Sequence, residues 1–522
     1  MARQKSEDRT VPKGRRKVVK TRGDESPGGG KAVSVNERTW QLGLRFGTAE
    51  FPGTQAPGAV GGADTGRPAP APHAVPKPKH KEEKAMSATM GEVTARLREA
   101  FEKVASNKGA PGPDRQSIGE VREHLDEILP KLSAALLAGT YMPGDIRRVW
   151  IPKVGGQRGL GIPNVIDRVV QEAVRWVLEP LYEPTFHEAS HGFRPGRSCH
   201  TAIARAMGYM AEGYEWVVDI DLEKFFDQVN HQRLMARLAE RVGNQGLLVL
   251  IGRMLKARVV MPGGVVVSTD EGVPQGGPLS PLLSNIVLDE LDQELGRRGH
   301  LFVRYADDCN IYVRSERAGQ RVMASVTRFI EGRLRLKVNA GKSAVARPEE
   351  RHFVGFRLRR EPLDGAVEVL LSKRSEERIA TKIRELLPRA WGNSLKASIL
   401  QLNAYLLGWI GFFFICTEGV EKTLRGVDAH IRRRLRAIQL AHWKTKRTVA
   451  RKVIRLGVSK HIVWKRVYEG RKSLWALSCC DAIERGLRNA YFAERGLVSL
   501  VKRWRELSQR MVAPEQLRLL PG

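Results

Sequence analysis

The chain has little of what marks a secreted or membrane-embedded protein. It holds 5 cysteines in 522 residues, Cys199, Cys309, Cys416, Cys479 and Cys480, and none are in CxxC spacing. That pattern argues against a disulfide framework or a zinc ribbon and suits a reducing cytoplasm. No apolar run reaches the roughly 18 residues that span a bilayer. The nearest, 404–416, is shorter and contains Gly408 and Gly411, so it reads as a buried helix and no membrane partner is expected. Met1-Ala2-Arg3-Gln4-Lys5 has no apolar core of a secretion signal. Acid is also scarce: 57 Asp and Glu face 88 Lys and Arg, a formal net charge of +31. Such an excess of cations points to a polyanion, and nucleic acid is the first candidate.

The informative residues are concentrated in a few stretches. Phe302-Val303-Arg304-Tyr305-Ala306-Asp307-Asp308-Cys309-Asn310-Ile311-Tyr312-Val313 sets two adjacent carboxylates among β-formers. Ala306-Asp307 is therefore expected at the tip of a tight hairpin. Adjacent acids repel, and a divalent cation relieves that repulsion. Mg²⁺ prefers such hard oxygen ligands, with substrate phosphates completing its shell, which suits phosphoryl transfer by two metal ions. An ordinary surface turn is the competing reading, because acids are common in turns. Upstream, 216–222 reads as a strand with Asp219 and Asp221 on one face. Either supplies a third carboxylate, and spacing does not choose between them. Lys224-Phe225-Phe226-Asp227 then turns into a helix.

The remaining chain reads in order. Residues 1–85 join a basic head (Lys13, Arg15, Arg16, Lys17, Lys20, Arg22) to a Pro/Gly/Ala stretch, and their composition predicts disorder. Order is expected from about residue 94, where Leu97, Phe101 and Val104 have helical spacing. A second amphipathic helix is expected over 118–137. A β-hairpin over 147–158 carries Lys153 and Arg158, cations suited to gripping a phosphate. A helix over 165–181 precedes a Gly/Pro loop, 191–198, whose Arg194 and Arg197 suit backbone phosphates. A bend at 271–281 contains Gln275 and leads to an apolar helix over 282–295. Next come a helix over 322–334, an extended segment over 336–345 offering Lys342, and a strand over 352–358. Helices then dominate: 376–387, 395–414 and 427–456. In the last, Ile431, Leu435 and Ile438 face a core. Arg432, Arg433, Arg434, Arg436, Lys444, Lys446 and Arg447 are expected outward, as a nucleic-acid surface or a solvated face. The tail, 461–507, adds Trp464, Trp475, Tyr491 and Trp504 among basic residues.

Taken together, these stretches resemble a bacterial group II intron-encoded reverse transcriptase and maturase. The resemblance is carried in order by Ile151-Pro152-Lys153, Arg158, Leu160-Gly161-Ile162-Pro163 and Gly192-Phe193-Arg194-Pro195-Gly196-Arg197-Ser198. It continues through Asp221-Leu222-Glu223-Lys224-Phe225-Phe226-Asp227, Pro274-Gln275-Gly276-Gly277-Pro278-Leu279-Ser280-Pro281 and Tyr305-Ala306-Asp307-Asp308. It ends with 336–342 and Phe353-Val354-Gly355-Phe356. The resemblance implies an α+β fold: right-hand polymerase fingers and palm over 90–365, with an antiparallel palm sheet. An α-helical thumb or maturase-specific domain over 366–460 and a helical DNA-binding-like segment over 461–522 would follow. No endonuclease domain is expected, since no Cys/His cluster follows Cys480.

The same resemblance implies roles. Asp221, five residues before an aromatic, joins Asp307 and Asp308 in holding two Mg²⁺ ions. Lys153, Arg158, Phe226 and Gln275 would meet the incoming dNTP, with Phe226 facing the ribose, and Lys342 would give a proton to pyrophosphate. The family usually has proline after the arginine at 158, where Gly159 stands here. The implied function is an RNA-directed DNA polymerase that binds its intron RNA to assist splicing and acts on target DNA in retrohoming by target-primed synthesis. The alternatives are a related reverse transcriptase used outside an intron, for example in phage defence, and a splicing-only protein with a silent site. The intact acid set argues against the silent site.

Overall fold

The computed structural model describes residues 88–511 except 154–155, 389–391 and 471. The stretch 1–85, expected above to be disordered, lies outside the described residues.

Helices α1 (Met90–Ala95), α2 (Leu97–Ser106), α3 (Ile118–Glu123) and α4 (Leu125–Leu137) come first. Capping boxes start α1 (Thr89 with Glu92) and α3 (Ser117 with Glu120), satisfying backbone N–H groups that a helix start leaves open. The helix expected over 118–137 is thus two. His124 leaves helical geometry between them, and a one-residue break keeps Val121 and Leu125 both buried, so periodicity does not register it. Strands β1 (Ile146–Lys153) and β2 (Gly156–Ile162) form the expected hairpin, followed by α5 (Val165–Tyr182) and α6 (Cys199–Ala211). Gly159 lies opposite Trp150, and a Cβ there would meet Arg148 and Trp150 at 2.7 and 3.0 Å.

Strand β3 (Trp216–Ile220) leads through α7 (His231–Ala239) and α8 (Gln245–Leu255) to the short strands β4 (Val259–Val260) and β5 (Val266–Val267). Helix α9 (Ser280–Arg297) precedes β6 (Leu301–Tyr305) and β7 (Asp308–Val313). Then come α10 (Glu316–Phe329), β8 (Ala344–Ala346), β9 (Phe356–Arg360) and β10 (Val367–Leu371). The strand expected over 352–358 starts late, because Phe353 and Phe356 pair across a tight turn at Val354-Gly355. Of the segment expected extended over 336–345, only its end enters a sheet, as β8.

The helical region comprises α11 (Lys373–Leu386), α12 (Leu395–Phe413), α13 (Glu421–Trp443), α14 (Lys446–Arg455) and α15 (Lys460–Tyr468). Short helices lead on to α16 (Leu500–Met511). The single helix expected over 427–456 breaks at Lys444, whose φ of 62° is left-handed. Among the described residues, no helix is long and apolar enough to cross a membrane. The apolar run at 404–416 lies mostly in α12, which buries Leu406, Trp409, Ile410 and Phe413.

The central sheet has the order β6-β7-β3-β8, with every pair antiparallel. Its period-two pattern splits the apolar residues between two cores. Val218, Ile220, Phe302 and Ile311 join the helices of the N-terminal half. Val217, Val303 and Tyr312 join β9, α12 and α13. The sheet is therefore clamped on both faces, and only its loop ends are free to carry chemistry. A second sheet, β2-β1-β4-β5, contains one parallel pair, β1 with β4, and β9 pairs with β10 alone.

Candidate active site

β6 and β7 close on a two-residue turn, Ala306-Asp307, with Tyr305 opposite Asp308. Ala306 has φ 57°, a left-handed conformation that costs a non-glycine residue about 1 kcal/mol or more. On the other side of β7 the register sets Asp219 against Asn310 and Ile220 against Cys309. Asp221, just past the end of β3, and Asp308 are the next residues beyond that last pair, near enough for the charge of Asp221 to act on Asp308. The hairpin acids and Asp221 thus meet at one end of the sheet.

Spacing left Asp219 and Asp221 equivalent, but their surroundings differ. Asp219 Oδ2 accepts from Arg351 Nε at 2.8 Å and Nη2 at 2.6 Å. Asp221 is held by its backbone: its N–H donates to Ser343 Oγ at 3.0 Å and its carbonyl accepts from Asn339 N at 2.8 Å. Its carboxylate takes one cation, Lys342 Nζ, at 3.2 Å from Oδ2. The segment containing Asn339, Lys342 and Ser343 is therefore strapped along the end of β3, which brings Lys342 to the acids.

Asp308 is solvent-exposed yet recessed among protein atoms. Loss of hydration pushes its carboxyl up to about 7, and the charges of Asp307, Asp219 and Asp221 add to the effect. Asp219 is also raised, mainly by burial, although Arg351 opposes this. Among the described residues, no three Asp, Glu, His or Cys side chains stand as a finished cation cage. The donor set nevertheless has the chemistry that Mg²⁺ selects: hard carboxylate oxygens crowded by like charge, with Lys342 ion-paired to Asp221 among the three.

The loop before α9 links the other expected positions. Gln275 O accepts from Gly161 N on β2 at 2.7 Å, and Phe226 O accepts from Val273 N at 2.6 Å. Gly276 has φ 127° and approaches β2 so closely that a Cβ would lie 2.6 Å from Gly161 O. Gln275, the β1–β2 hairpin that carries Lys153 and Arg158, and Phe226 are consequently tied together through backbone. Phe225 is buried and packs edge-on against Phe226, which is half-exposed.

Several arginines expected at phosphates turn inward. Arg194 is buried: it pairs with Glu183 and donates to the carbonyls of His187 and Ser190, each at 2.8 Å. Arg197 is half-buried and donates to Glu188 O. Arg434 is buried and donates to the carbonyls of Leu387 and Arg384. Arg436 is also buried, on Leu487 O and Glu484. Arg433 lies over the Trp475 ring at 4.7 Å, and Arg432 is half-buried. The expected outward ridge is corrected on this point, because Arg434 and Arg436 close carbonyls that helix ends leave open. Lys444 and Arg447 are exposed, and half-buried Lys446 donates to Gly470 O. Sequence reasoning missed Arg351, Ser343 and Arg304. Arg304 did leave a signal, a lone charge inside an apolar strand, which demands a buried partner.

Residues 151–358 match the reverse transcriptase (RNA-dependent DNA polymerase) family, and residues 377–456 match the group II intron maturase-specific domain. Protein YkfC of Escherichia coli is 33% identical over 349 residues, 59% of this chain and 89% of that protein. The group II intron-encoded protein LtrA of Lactococcus lactis subsp. cremoris is 40% identical over 200 residues, covering 37% of this chain and 32% of LtrA. Nuclear intron maturase 4, mitochondrial, of Arabidopsis thaliana is 34% identical over 138 residues, 26% of this chain and 17% of that protein. The chain thus spans most of YkfC but about a third or less of the other two. It belongs to the group II intron reverse transcriptase/maturase family, whose polymerase class is RNA-directed DNA synthesis.

Proposed function

We propose that the protein copies RNA into DNA at the end of the central sheet and, through its helical region, binds the intron RNA to assist splicing. The register of β3 on β7, which ends with Ile220 opposite Cys309 and leaves Asp221 and Asp308 as the next residue on each strand, carries this reading. These three carboxylates would hold two Mg²⁺ ions. Bound there, the ions supply Lewis acidity at the primer 3′-hydroxyl and neutralise charge on the leaving pyrophosphate. The chain's own residues position the rest. Lys153 and Arg158 hold the triphosphate, Gln275 lies beside the nucleotide, and Lys342 donates a proton to pyrophosphate. Phe226 excludes a ribose 2′-hydroxyl by bulk.

In this reading 90–365 form the fingers and palm, 366–460 the thumb or maturase-specific domain, and 461–522 a DNA-binding segment. Arg432, Lys444, Lys446, Arg447 and Arg197 remain the candidates for RNA phosphates, and target DNA is engaged in target-primed synthesis. The match of residues 377–456 to the group II intron maturase-specific domain favours the intron reading over a reverse transcriptase used outside an intron.

The test pairs primer extension on an RNA template with splicing of the intron around the gene at low Mg²⁺. Asp307→Ala with Asp308→Ala is expected to lower DNA synthesis by at least about a thousandfold, roughly 4 kcal/mol of barrier, while splicing assistance persists. Loss of both activities in a variant folded by circular dichroism refutes the separation. Phe226→Ala is expected to admit ribonucleotides while still incorporating deoxynucleotides. An unchanged sugar preference would move the gate to another residue.

A further inference from the structure

Arg304 is the largest fully buried side chain among the described residues. Its guanidinium uses all five of its N–H donors. Nε donates to Asp292 Oδ1 at 2.7 Å, and Nη2 donates to Asp292 Oδ2 and to Ser190 Oγ, the latter at 2.7 Å. Nη1 donates to Asn285 Oδ1 at 3.0 Å and to Ala306 O at 2.8 Å. Asp292 on α9 neutralises the charge, and Ser190 and Asn285 satisfy two more donors. A role confined to core stability needs nothing beyond these four bonds.

The fifth bond goes to the turn. Ala306 is the left-handed residue, and the next two residues are Asp307 and Asp308. The opposite side of the same turn is closed by Gly192, where a Cβ would lie 2.2 Å from Ala306 N. Gly192 O accepts from Asn285 Nδ2 at 2.9 Å, so Asn285 ties both the guanidinium and the glycine to α9. The backbone of Arg304 is bonded to the same loop in both directions: its N–H to Ala189 O at 2.9 Å, and His191 N–H to its carbonyl at 2.8 Å. The turn is thus held at its carbonyl by a saturated cation and approached at its amide by a residue that only glycine can be.

We propose that Arg304 is a positioning residue for polymerisation. Anchored on Asp292, its guanidinium holds Ala306 in the left-handed conformation and so aims the carboxylates of Asp307 and Asp308. The inference rests on the reading of those two acids as metal ligands. It has a consequence that a purely structural role lacks: relaxing the turn by other means should replace part of what Arg304 does. Glycine at 306 adopts a positive φ without strain.

The experiment compares Arg304→Lys, Ala306→Gly, the double variant and Asp307→Ala in the full chain. Partners that orient metal ligands typically carry tenfold to hundredfold effects, so Arg304→Lys is expected to lower kcat by about tenfold or more. KM for dNTP and intron RNA binding should stay near wild type. Mn²⁺ affinity, read by electron paramagnetic resonance with a chain-terminated primer, template and dNTP, should weaken by about tenfold. Ala306→Gly alone serves as the reference for the double variant, in which it should recover part of both losses. If Arg304→Lys does not fold, Asn285→Ala is used instead. It leaves the Arg304–Asp292 pair in place and should show the same pattern of loss and recovery. Normal kcat and Mn²⁺ affinity in the folded variant overturn the proposal, as do losses that Ala306→Gly does not relieve. An active Asp307→Ala overturns the underlying reading of the acids; an inactive one beside a normal Arg304→Lys overturns only the role of Arg304.

Discussion

The central sheet and the helical region after it treat charge in opposite ways. At the end of the sheet, Asp221, Asp307 and Asp308 crowd together, with Lys342 on Asp221 the one ion pair given to the three among the described residues. Asp308 is held well above the usual carboxylate range, first by loss of hydration and then by the charge of its neighbours. In the helical region, by contrast, Arg434 and Arg436 are drawn inward and satisfied by carbonyls and Glu484. Unrelieved charge is costly, so it persists where a ligand completes it. Satisfied charge belongs to the scaffold. The same rule separates Arg194, buried on Glu183, from exposed Lys444 and Arg447.

The largest effect that tests this contrast is on stability. Arg434→Ala leaves the Leu387 and Arg384 carbonyls without their donor and opens a void beside Trp475. The expected loss is about 3 kcal/mol in denaturant unfolding. At temperatures where the variant remains folded, the salt dependence of RNA binding should be unchanged. Normal stability combined with weakened RNA binding would make Arg434 a phosphate contact after all and would break the comparison.

A smaller effect is expected from the exposed cations. Lys444→Ala with Arg447→Ala should change stability by less than about 0.5 kcal/mol. Each lost phosphate contact removes released counterions, so the slope of log affinity against log salt should fall by about 1 to 2. If the slope does not move, this part of the helical region is a solvated face, and the RNA contacts must be sought elsewhere.

How far the sequence could be read follows from the same contrast. The Asp-Asp hairpin was legible because acids among β-formers are locally contradictory, and the contradiction lies within a few residues. The helices were legible in type from their apolar spacing, but the breaks at His124 and Lys444 were not, since one residue out of helical geometry barely disturbs a stripe. The inward turn of Arg194, Arg434 and Arg436 was not legible either. Apart from the carboxylates of Glu183 and Glu484, their partners are the carbonyls of His187, Ser190, Leu387 and Leu487, on loops and helix ends that no side-chain pattern encodes. The clamp on Ala306 was half-visible: Arg304 stands out in its strand, but Asp292 and Asn285 lie on α9 and Ser190 on a distant loop.

The smallest effect is expected from residues 1–85. Their cations, among them Lys13, Arg15, Arg16, Lys17, Lys20 and Arg22, raise the question whether charge outside both regions contributes to function. The stretch contains none of the motifs to which the proposed site residues belong. At physiological salt the screening length is about 8 Å, so attraction between such cations and nucleic acid is short-ranged there. Deleting 1–85 is accordingly expected to leave kcat for DNA synthesis within about tenfold of the full chain, or 1.4 kcal/mol of barrier. Any rise in the template concentration needed should be confined to high salt's opposite, low ionic strength, where attraction reaches further only in the intact chain. The measurement is primer extension by the two proteins at low and at physiological salt. A larger loss of kcat at physiological salt would mean that the segment takes part in building the site, and the contrast between sheet and helices would then describe only part of how this chain uses its charge.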